Sequence, residues 1–188
     1  SISIGDVTVV ENIAGGFATF TVTLSAASGQ TVTVNYNTSS GTALQPEDYT
    51  SSTGTVTFTP GQTTQTITVP IINDTIDELS ETFFVNLVTP TNATISDSQA
   101  VGTIVDNDNA PTISTVSAAT QTEGTSLVHT VTLSNASSVA TTFAYSLGGG
   151  TATSGVDYDT ATVFSNGVTL SAGVLTVPAG VTSFTVTV

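Results

Sequence analysis

Threonine alternates with apolar residues along most of this chain, and that alternation restricts the fold more than any other feature of the sequence. In FATFTVTLS (17–25), Phe20, Val22 and Leu24 fall on one face of an extended segment, and threonines fall on the other. A period of two is typical of a strand with one buried face, and β-branched threonine suits the solvent side. No segment has a helical period, so the sequence predicts an all-β sandwich. The same alternation recurs at 31–36, 55–58, 64–72 and 81–87.

The two halves of the chain repeat one another. GTALQPEDY (41–49) recurs as GTATSGVDY (150–158), with Gly, Thr, Ala, Asp and Tyr in register. Such a repeat indicates two copies of one structural unit. The sequence therefore predicts two tandem immunoglobulin-like β-sandwich modules, 1–108 and 109–188, which meet near DNDNAP. Two further correspondences are VENIAGGFATFTVTLS (10–25) with TEGTSLVHTVTLS (122–134), and GQTTQTITV (61–69) with GVTSFTVTV (180–188).

The second copy is shorter than the first at its carboxyl end. Val188 corresponds to Val69, so no counterparts of IINDTIDELSE (71–81) or of the strands at 82–89 and 100–105 follow it. A sandwich without its last strands leaves apolar core and backbone hydrogen-bonding groups uncovered. We expect this module to be completed by further residues of the natural chain, or by a strand from another copy.

The charge balance excludes several classes of function. The chain has 14 acidic residues and neither lysine nor arginine, which gives a formal net charge of −14. Binding to nucleic acid or to anionic membrane surfaces depends on Lys and Arg, so neither is expected. No apolar run approaches the roughly 18 residues of a membrane span, so direct membrane insertion is not expected. Cysteine is absent, which excludes disulfides and thiolate sites, and the absence of methionine indicates a processed chain or an excerpt.

One acidic stretch needs a cation that the protein itself does not supply. IINDTIDELSE (71–81) contains Asp74, Asp77, Glu78 and Glu81. Two like charges about 4 Å apart repel by roughly 4 kcal/mol at an effective dielectric constant of about 20. Ca²⁺ accepts about six to eight oxygen ligands and prefers carboxylates and carbonyls. The alternative is a solvated acidic loop without metal, but the lack of Lys and Arg to relieve the repulsion favours Ca²⁺.

Five motifs, in one order, resemble those of a known family. They are the Glu of VVEN, GTAxxxxDY, the turn TPGQ before a long strand, IINDxxxExxE and a closing DND, all within 1–108. This pattern is similar to that of the Calx-beta domain family, a β-sandwich module of sodium–calcium exchangers, integrin β4 and long bacterial surface proteins. Residues 112–188 match only the first two-thirds of the pattern.

The resemblance also implies which residues bind Ca²⁺. In the exchanger modules the ligands are the early Glu, the Asp of DY, the acidic loop and the closing Asp run. Asn73 and Asn107 interrupt two runs that are often continuously acidic in the family, and Asn ligates through its amide oxygen with less charge. Glu123, Asp157 and Asp159 would form half a site in the second module. Carried over by position, the donors are the carboxylates of Glu11, Asp48, Asp74, Glu78, Glu81, Asp106 and Asp108, with the amide of Asn73 and the carbonyl of Ile76.

Three functions are compatible with these features. The favoured one is a calcium-stabilised structural or adhesive module of a large secreted or cell-surface repeat protein, such as a filament or biofilm component. Its partners would be calcium ions and neighbouring modules of the same chain or other copies. The alternative is a regulatory Ca²⁺-sensing module of a transporter or signalling protein. An enzyme is not expected, because a sandwich of threonine-covered strands shows no open metal position with a positioned acid or base in a pocket. No serine or acid accompanies His129 at a revealing spacing, and it is interpreted as a strand-surface histidine.

Overall fold

The structure, a computed structural model, describes residues 1–148 and 150–188 and is all-β, as the alternation predicts. These described residues contain no α-helix, and so none that is long and apolar enough to cross a membrane. The chain forms two units. One consists of Ser1–Asp74 with Leu79–Asn107, and the other of Thr75–Glu78 with Asp108–Val188.

The first unit is a sandwich of two sheets. One sheet has the strand order β1–β3–β6, and the other has the order β2–β8–β7–β4–β5. Neighbouring strands are antiparallel, except for β2 and β8, which run parallel. The strands are β1 (Ile2–Ile4), β2 (Val7–Val10), β3 (Phe17–Leu24), β4 (Val32–Ser40), β5 (Thr53–Phe58), β6 (Thr64–Pro70), β7 (Glu81–Thr91) and β8 (Gln99–Val105).

The predicted alternation determines which side chains form the core of the first unit. Along β3, Ala18, Phe20, Val22 and Leu24 are buried, and every residue between them is exposed. The inward faces of the other strands contribute the remaining apolar side chains of this core. Burial of apolar surface at roughly 25 cal/mol per Å² is the main force that holds the two sheets together.

An aromatic cluster lies at the centre of this core. The ring of Phe83 on β7 packs edge-on against Phe20, with centroids 5.8 Å apart, and stacks on Tyr49 at 4.6 Å. Gly102 on β8 pairs with Phe83 in the sheet. A Cβ atom at Gly102 would lie 2.6 Å from Phe83 Cε1 and 2.9 Å from Phe20 Cζ. The absence of a side chain at Gly102 therefore makes room for the two rings.

The replacement Gly102→Ala is expected to destabilise the first unit by about 1–3 kcal/mol, because overpacking a closed core forces its rings to move. Chemical denaturation monitored by circular dichroism measures this loss. Gly5→Ala is the matched control, since a Cβ at Gly5 meets no atom within 4 Å. Equal stability of the two variants would contradict the assigned packing of Gly102.

The second unit has a core of its own between two sheets. One sheet has the order β12–β15–β10–β9, and the other has the order β11–β14–β13. Inward side chains of β10, β14 and β15 form most of the core. The strands are β9 (Ile113–Val116), β10 (Val128–Leu133), β11 (Thr141–Ala144), β12 (Val163–Phe164), β13 (Thr169–Ser171), β14 (Val174–Val177) and β15 (Ser183–Thr187).

The second unit repeats the registers of the first but has fewer strands. Phe143 pairs with Leu175 in β11–β14, as Val34 pairs with Val56 in β4–β5. In the part of the chain that the structure describes, no strand occupies the other edge of β11, the place that β7 takes beside β4. Among the described residues, β11 therefore has one neighbouring strand where β4 has two.

Candidate metal centre

Parallel pairing of β2 with β8 brings two distant acidic residues together. Val10 ends β2 and pairs with Val105, which ends β8. The next residues, Glu11 and Asp106, leave the same edge of the sheet on strands that lie about 4.7–4.9 Å apart. The backbone N–H of Glu11 donates to the carbonyl of Val105 at 2.9 Å, which continues the ladder by one step. The Glu of VVEN therefore lies beside the first Asp of DND.

The carboxylate of Glu11 is buried, with 6% of the residue exposed. Its Oε1 accepts a hydrogen bond from the backbone N–H of Asp74 at 2.7 Å, which ties the loop after β6 to the end of β2. Asn107 Oδ1 accepts from the backbone N–H of Asn12 at 3.0 Å and fixes the exit of β8 in the same way. A buried carboxylate is costly unless it is hydrogen-bonded and paired or coordinates a metal.

The loop that ends in the DY pair is docked on the start of β7. The backbone N–H of Ala43 donates to the carbonyl of Thr82 at 2.9 Å. Asp48 Oδ2 accepts from the backbone N–H of Leu44 at 2.6 Å, which closes the loop on itself. Because Glu81 is the residue before Thr82, this docking places Asp48 close to Glu81.

Tyr49 fixes the position of Asp48 from the core side. Its ring is completely buried and stacks on Phe83, and its hydroxyl forms a hydrogen bond of 3.1 Å with Ser40 Oγ. The backbone carbonyl of Asp48 accepts from the N–H of Ile72 at 2.9 Å, which joins this loop to the segment after β6. The tyrosine of DY is thus a core residue, and the aspartate before it stands at the rim.

The described residues contain two groups of three carboxylates. In each group, one oxygen of every residue lies within 4.8 Å of the corresponding oxygens of the other two. Apart from the buried Glu11, the members are partly exposed. The first group is Glu11, Asp106 and Asp108, and the second group is Asp48, Glu78 and Glu81.

The chemistry of both groups fits a hard divalent cation. Three anions at this spacing repel one another by roughly 4 kcal/mol per pair at an effective dielectric constant of about 20. The chain contains no lysine or arginine whose charge could offset the repulsion. Carboxylate oxygens are hard ligands that suit Ca²⁺, and Ca²⁺ tolerates irregular geometry better than Mg²⁺. The residues present therefore fit the calcium ion that the sequence predicts.

The two groups consist of carboxylates, so they do not bear on the predicted amide of Asn73 or the predicted carbonyl of Ile76. Asp74 is a member of neither group among the described residues, and its contact with Glu11 runs through the backbone. Asn73 is exposed, and its Nδ2 donates to the carbonyl of Asp74 at 3.0 Å. Ile76 lies in the same loop and is partly buried. Ligation of Ca²⁺ by these three residues stays a prediction.

Asp77 has a structural role in the part of the loop that belongs to the second unit. Its Oδ2 accepts from the hydroxyl of Ser137 at 2.7 Å. Its backbone N–H donates to the carbonyl of Ala136 at 3.0 Å, and its carbonyl accepts from the N–H of Ser138 at 2.9 Å. These contacts give the Asp77 carboxylate a hydrogen-bond donor within the second unit.

The second copy reproduces the DY loop without a complete carboxylate group. Asp157 Oδ2 accepts from the backbone N–H of Thr153 at 2.8 Å, as Asp48 does from Leu44. Glu123, Asp157 and Asp159 all line one surface depression, yet neither three-carboxylate group in residues 1–148 and 150–188 includes them. The closed loop is therefore a property of the repeat, and it does not by itself identify a metal site.

Comparison with known proteins gives one family. A family model described as the Calx-beta domain matches the chain twice, over residues 2–108 and 106–179. Sodium/calcium exchanger 1 of Mus musculus is 39% identical over 83 residues, which are 44% of this chain and 8% of that protein. The protein of the same name from Canis lupus familiaris is 47% identical over 57 residues, which are 30% of this chain and 6% of that protein. The chain thus spans less than a tenth of these relatives.

Solved structures agree in fold. The crystal structure of calcium binding domain CBD12 of CALX1.1 is similar to the whole of this chain and is itself covered to 74%, with a TM-score of 0.54 and 21% identity. The apo-form Calx CBD1 domain is similar to 57% of this chain and is covered to 98%, with a TM-score of 0.52 and 24% identity. At these identities the likeness concerns the fold alone.

Proposed function

Since this chain belongs to the Calx-beta domain family, we propose that it is a tandem Ca²⁺-binding module with a regulatory, calcium-sensing role in a larger transport or signalling protein. The observation that carries calcium binding is the pair of three-carboxylate groups in a chain that has no lysine and no arginine. The sensing role is supported by the relatives, which are sodium/calcium exchangers.

The site residues act as ligands and supports. Glu11 and Asp106 would offer carboxylate oxygens from the ends of two paired strands, whose spacing is rigid. Asp48 and Glu81 would offer theirs from a docked loop and from the first residue of β7. When bound, Ca²⁺ supplies positive charge that offsets the repulsion in each group. Its binding therefore favours the conformation in which the loop after β6 and the exit of β8 are held against the sandwich.

The adhesive function favoured by the sequence receives no support from these comparisons, which name exchangers rather than surface polymers. The ligand chemistry of a sensor and of a structural site is the same, so affinity separates them. Sensor sites bind Ca²⁺ with Kd values of about 10⁻⁷–10⁻⁵ M, and extracellular modules bind it at about 10⁻⁴–10⁻³ M. The extracellular or cell-surface location also stays a prediction. An affinity in the range of extracellular modules would favour it.

Calcium titration followed by isothermal calorimetry is expected to give micromolar binding, with Mg²⁺ binding far more weakly because it demands small, octahedral sites. Asp106→Asn and Asp48→Asn should each weaken a different part of the isotherm, because they belong to different groups. Glu47→Gln is the matched control, since Glu47 is an exposed neighbour of Asp48 outside both groups. Only millimolar binding would contradict the sensing role, and no binding would contradict the metal site as well.

A further inference from the structure

One sheet of the first unit carries no charged side chain. Its strands β1, β3 and β6 contain neither an acidic nor a basic residue, although the chain has 14 acidic residues. The other sheet carries Glu81 on β7, and its strands β2 and β8 lead directly into Glu11 and Asp106. Two molecules that each have a net charge of −14 therefore meet less repulsion at the three-stranded sheet than at the acidic end of the other one.

The two edges of this uncharged sheet differ. At the β1 edge, the backbone N–H of Ile2 donates to the carbonyl of Thr94 at 2.7 Å. The carbonyl of Ile2 accepts from the backbone N–H of Ser96 at 2.8 Å, so a loop covers this edge. In the part of the chain that the structure describes, no strand pairs with the side of β6 that faces away from β3. We call this side the open edge of β6.

The hydrogen bonds at both ends of β6 show which of its backbone groups face the open edge. The N–H of Leu24 donates to the carbonyl of Thr63 at 2.8 Å. The N–H of Ile71 donates to the carbonyl of Gly16 at 2.9 Å, so the odd-numbered residues bond to β3 and its continuation. Residues of an antiparallel strand alternate between the two neighbouring sides. The residues whose N–H and C=O groups face the open edge are Thr64, Thr66 and Thr68.

Pro70 ends the open stretch. It has no N–H, and its carbonyl accepts from the N–H of Thr50 at 3.0 Å, which agrees with an outward direction for the even-numbered residues. Natural edge strands are protected by shortness, by lysine, by internal proline or by a bulge. Before Pro70 the strand has none of these, since it pairs with β3 over seven residues without a register shift. A long, regular and uncharged edge is the result.

We propose that the open edge of β6 pairs antiparallel with β6 of a second copy of this chain. The outward-facing threonines are symmetric about Thr66, so a two-fold axis there places Thr66 opposite its own counterpart and Thr64 opposite Thr68 of the other copy. Each opposed pair would exchange two backbone hydrogen bonds, and the two three-stranded sheets would become one continuous sheet. This association does not depend on Ca²⁺.

A second copy suits this edge better than a charged peptide from another protein. The sheet offers such a peptide no side chain of opposite charge, whereas threonine opposite threonine is a favourable cross-strand pair. The side chains of these threonines are exposed and do not have to leave the core. β5 is also an edge strand, but it contains Gly54, and glycine weakens a strand.

Cysteine cross-linking tests the register, because the chain has no cysteine of its own. In Thr66→Cys the two thiols would stand on the two-fold axis, where opposed Cα atoms lie about 5.5 Å apart, a distance that a disulfide can bridge. In Thr64→Cys, the matched control, the two thiols would lie about 14 Å apart along the strands. Thr55→Cys reports on the β5 edge in the same way.

Under mild oxidation in EDTA, Thr66→Cys is expected to form a covalent dimer about tenfold or more faster than Thr64→Cys or Thr55→Cys, because only its thiols meet. A mixture of Thr64→Cys with Thr68→Cys should also cross-link, since these positions are opposed. Equal rates for Thr66→Cys and Thr64→Cys would overturn the proposed register. The fastest cross-linking at Thr55→Cys would overturn the choice of β6.

Sedimentation in EDTA tests whether the unmodified chain pairs in solution. A dimer should appear as the protein concentration rises. An increase in NaCl from about 0.1 M to 1 M should strengthen it, because the Debye length falls from about 10 Å to 3 Å and the repulsion between the two anionic molecules is screened. A chain that stays monomeric up to about 1 mM at both salt concentrations would overturn the proposal.

A lysine at the axis should prevent the pairing. Thr66→Lys is expected to weaken dimer formation by about tenfold or more, because two like charges would stand directly opposite one another. Thr21→Lys is the matched control, since Thr21 is exposed on β3 opposite Thr66 and lies one strand away from the edge. It should leave the dimer nearly unchanged. Equal weakening by both substitutions would show that charge alone acts, and the assigned edge would be wrong.

Discussion

Addition of Ca²⁺ at about 100 times its Kd should raise the melting temperature of the first unit by roughly 10–20 °C, and EDTA should remove the whole increase. A ligand that binds only the folded state stabilises it by about 2.7 kcal/mol at 100 times its Kd and by about 4.1 kcal/mol at 1,000 times. For a domain of roughly 100 residues, each kcal/mol corresponds to about 4–8 °C. In EDTA the carboxylates of both groups repel one another without an ion between them, which acts in the same direction. Calorimetric scans with and without Ca²⁺ measure the difference.

Substitutions separate the contributions of the two groups to this effect. Glu11→Gln should remove most of the shift from the first group, because Glu11 is buried there and belongs to no other group. Asp48→Asn should remove the part of the shift that comes from the second group. Glu47→Gln removes one negative charge from the same loop, as Asp48→Asn does, but it should leave the shift in melting temperature intact. A melting curve that is indifferent to Ca²⁺ in the unmodified chain would exclude the metal centre.

The strands were predictable because burial of the apolar side chains on one face determines where they form. Each side chain of β3 is either buried or exposed in strict alternation, and the residues from Ala18 to Leu24 show it directly in the sequence, whereas Phe17 is an apolar residue on the exposed face. The presence of two modules followed from the recurrence of GTALQPEDY as GTATSGVDY. Both patterns can be read along the chain and need no knowledge of which strands are neighbours.

The division of the acidic residues into two groups was not predictable, because it depends on strand order. Glu11 meets Asp106 only since β2 runs parallel to β8, and nothing near either residue indicates that pairing. Asp48 reaches Glu81 only through the docking of its loop on Thr82.

The choice between sensing and structural calcium sites also lies beyond the sequence pattern. Both use carboxylate oxygens on loops, and they differ in affinity, which follows from charge count and rigidity of the site. The rigidity here comes from the core below the loops: Glu81 and Phe83 are two residues apart on β7, and Tyr49 directly follows Asp48. We therefore expect core packing and calcium affinity to be coupled at the second group.

Phe83→Ala should reveal that coupling, with a loss of about 3–5 kcal/mol in the stability of the first unit. The substitution removes the ring that stacks on Tyr49 at 4.6 Å and packs against Phe20 at 5.8 Å, and it leaves a cavity between the sheets. Because Tyr49 and β7 then move more freely, the carboxylates of Asp48 and Glu81 are held less firmly beside one another. Calcium binding by the second group should weaken, while the first group, at the ends of β2 and β8, should keep most of its affinity.

Phe83→Leu is the more conservative substitution, because it keeps an apolar side chain in the core. It should reduce both the stability of the first unit and the calcium affinity of the second group less than Phe83→Ala does. Denaturant unfolding in EDTA gives the stability of each variant, and calcium titration gives the affinity of each group, assigned by adding Asp48→Asn or Asp106→Asn to the Phe83 variants. If Phe83→Ala weakened both groups equally, general loosening of the fold would explain the result. If it lowered stability and left both affinities unchanged, the stack of Phe83 on Tyr49 would have no part in positioning the ligands. A selective loss at the second group is the outcome that links the aromatic core to the calcium chemistry at the rim.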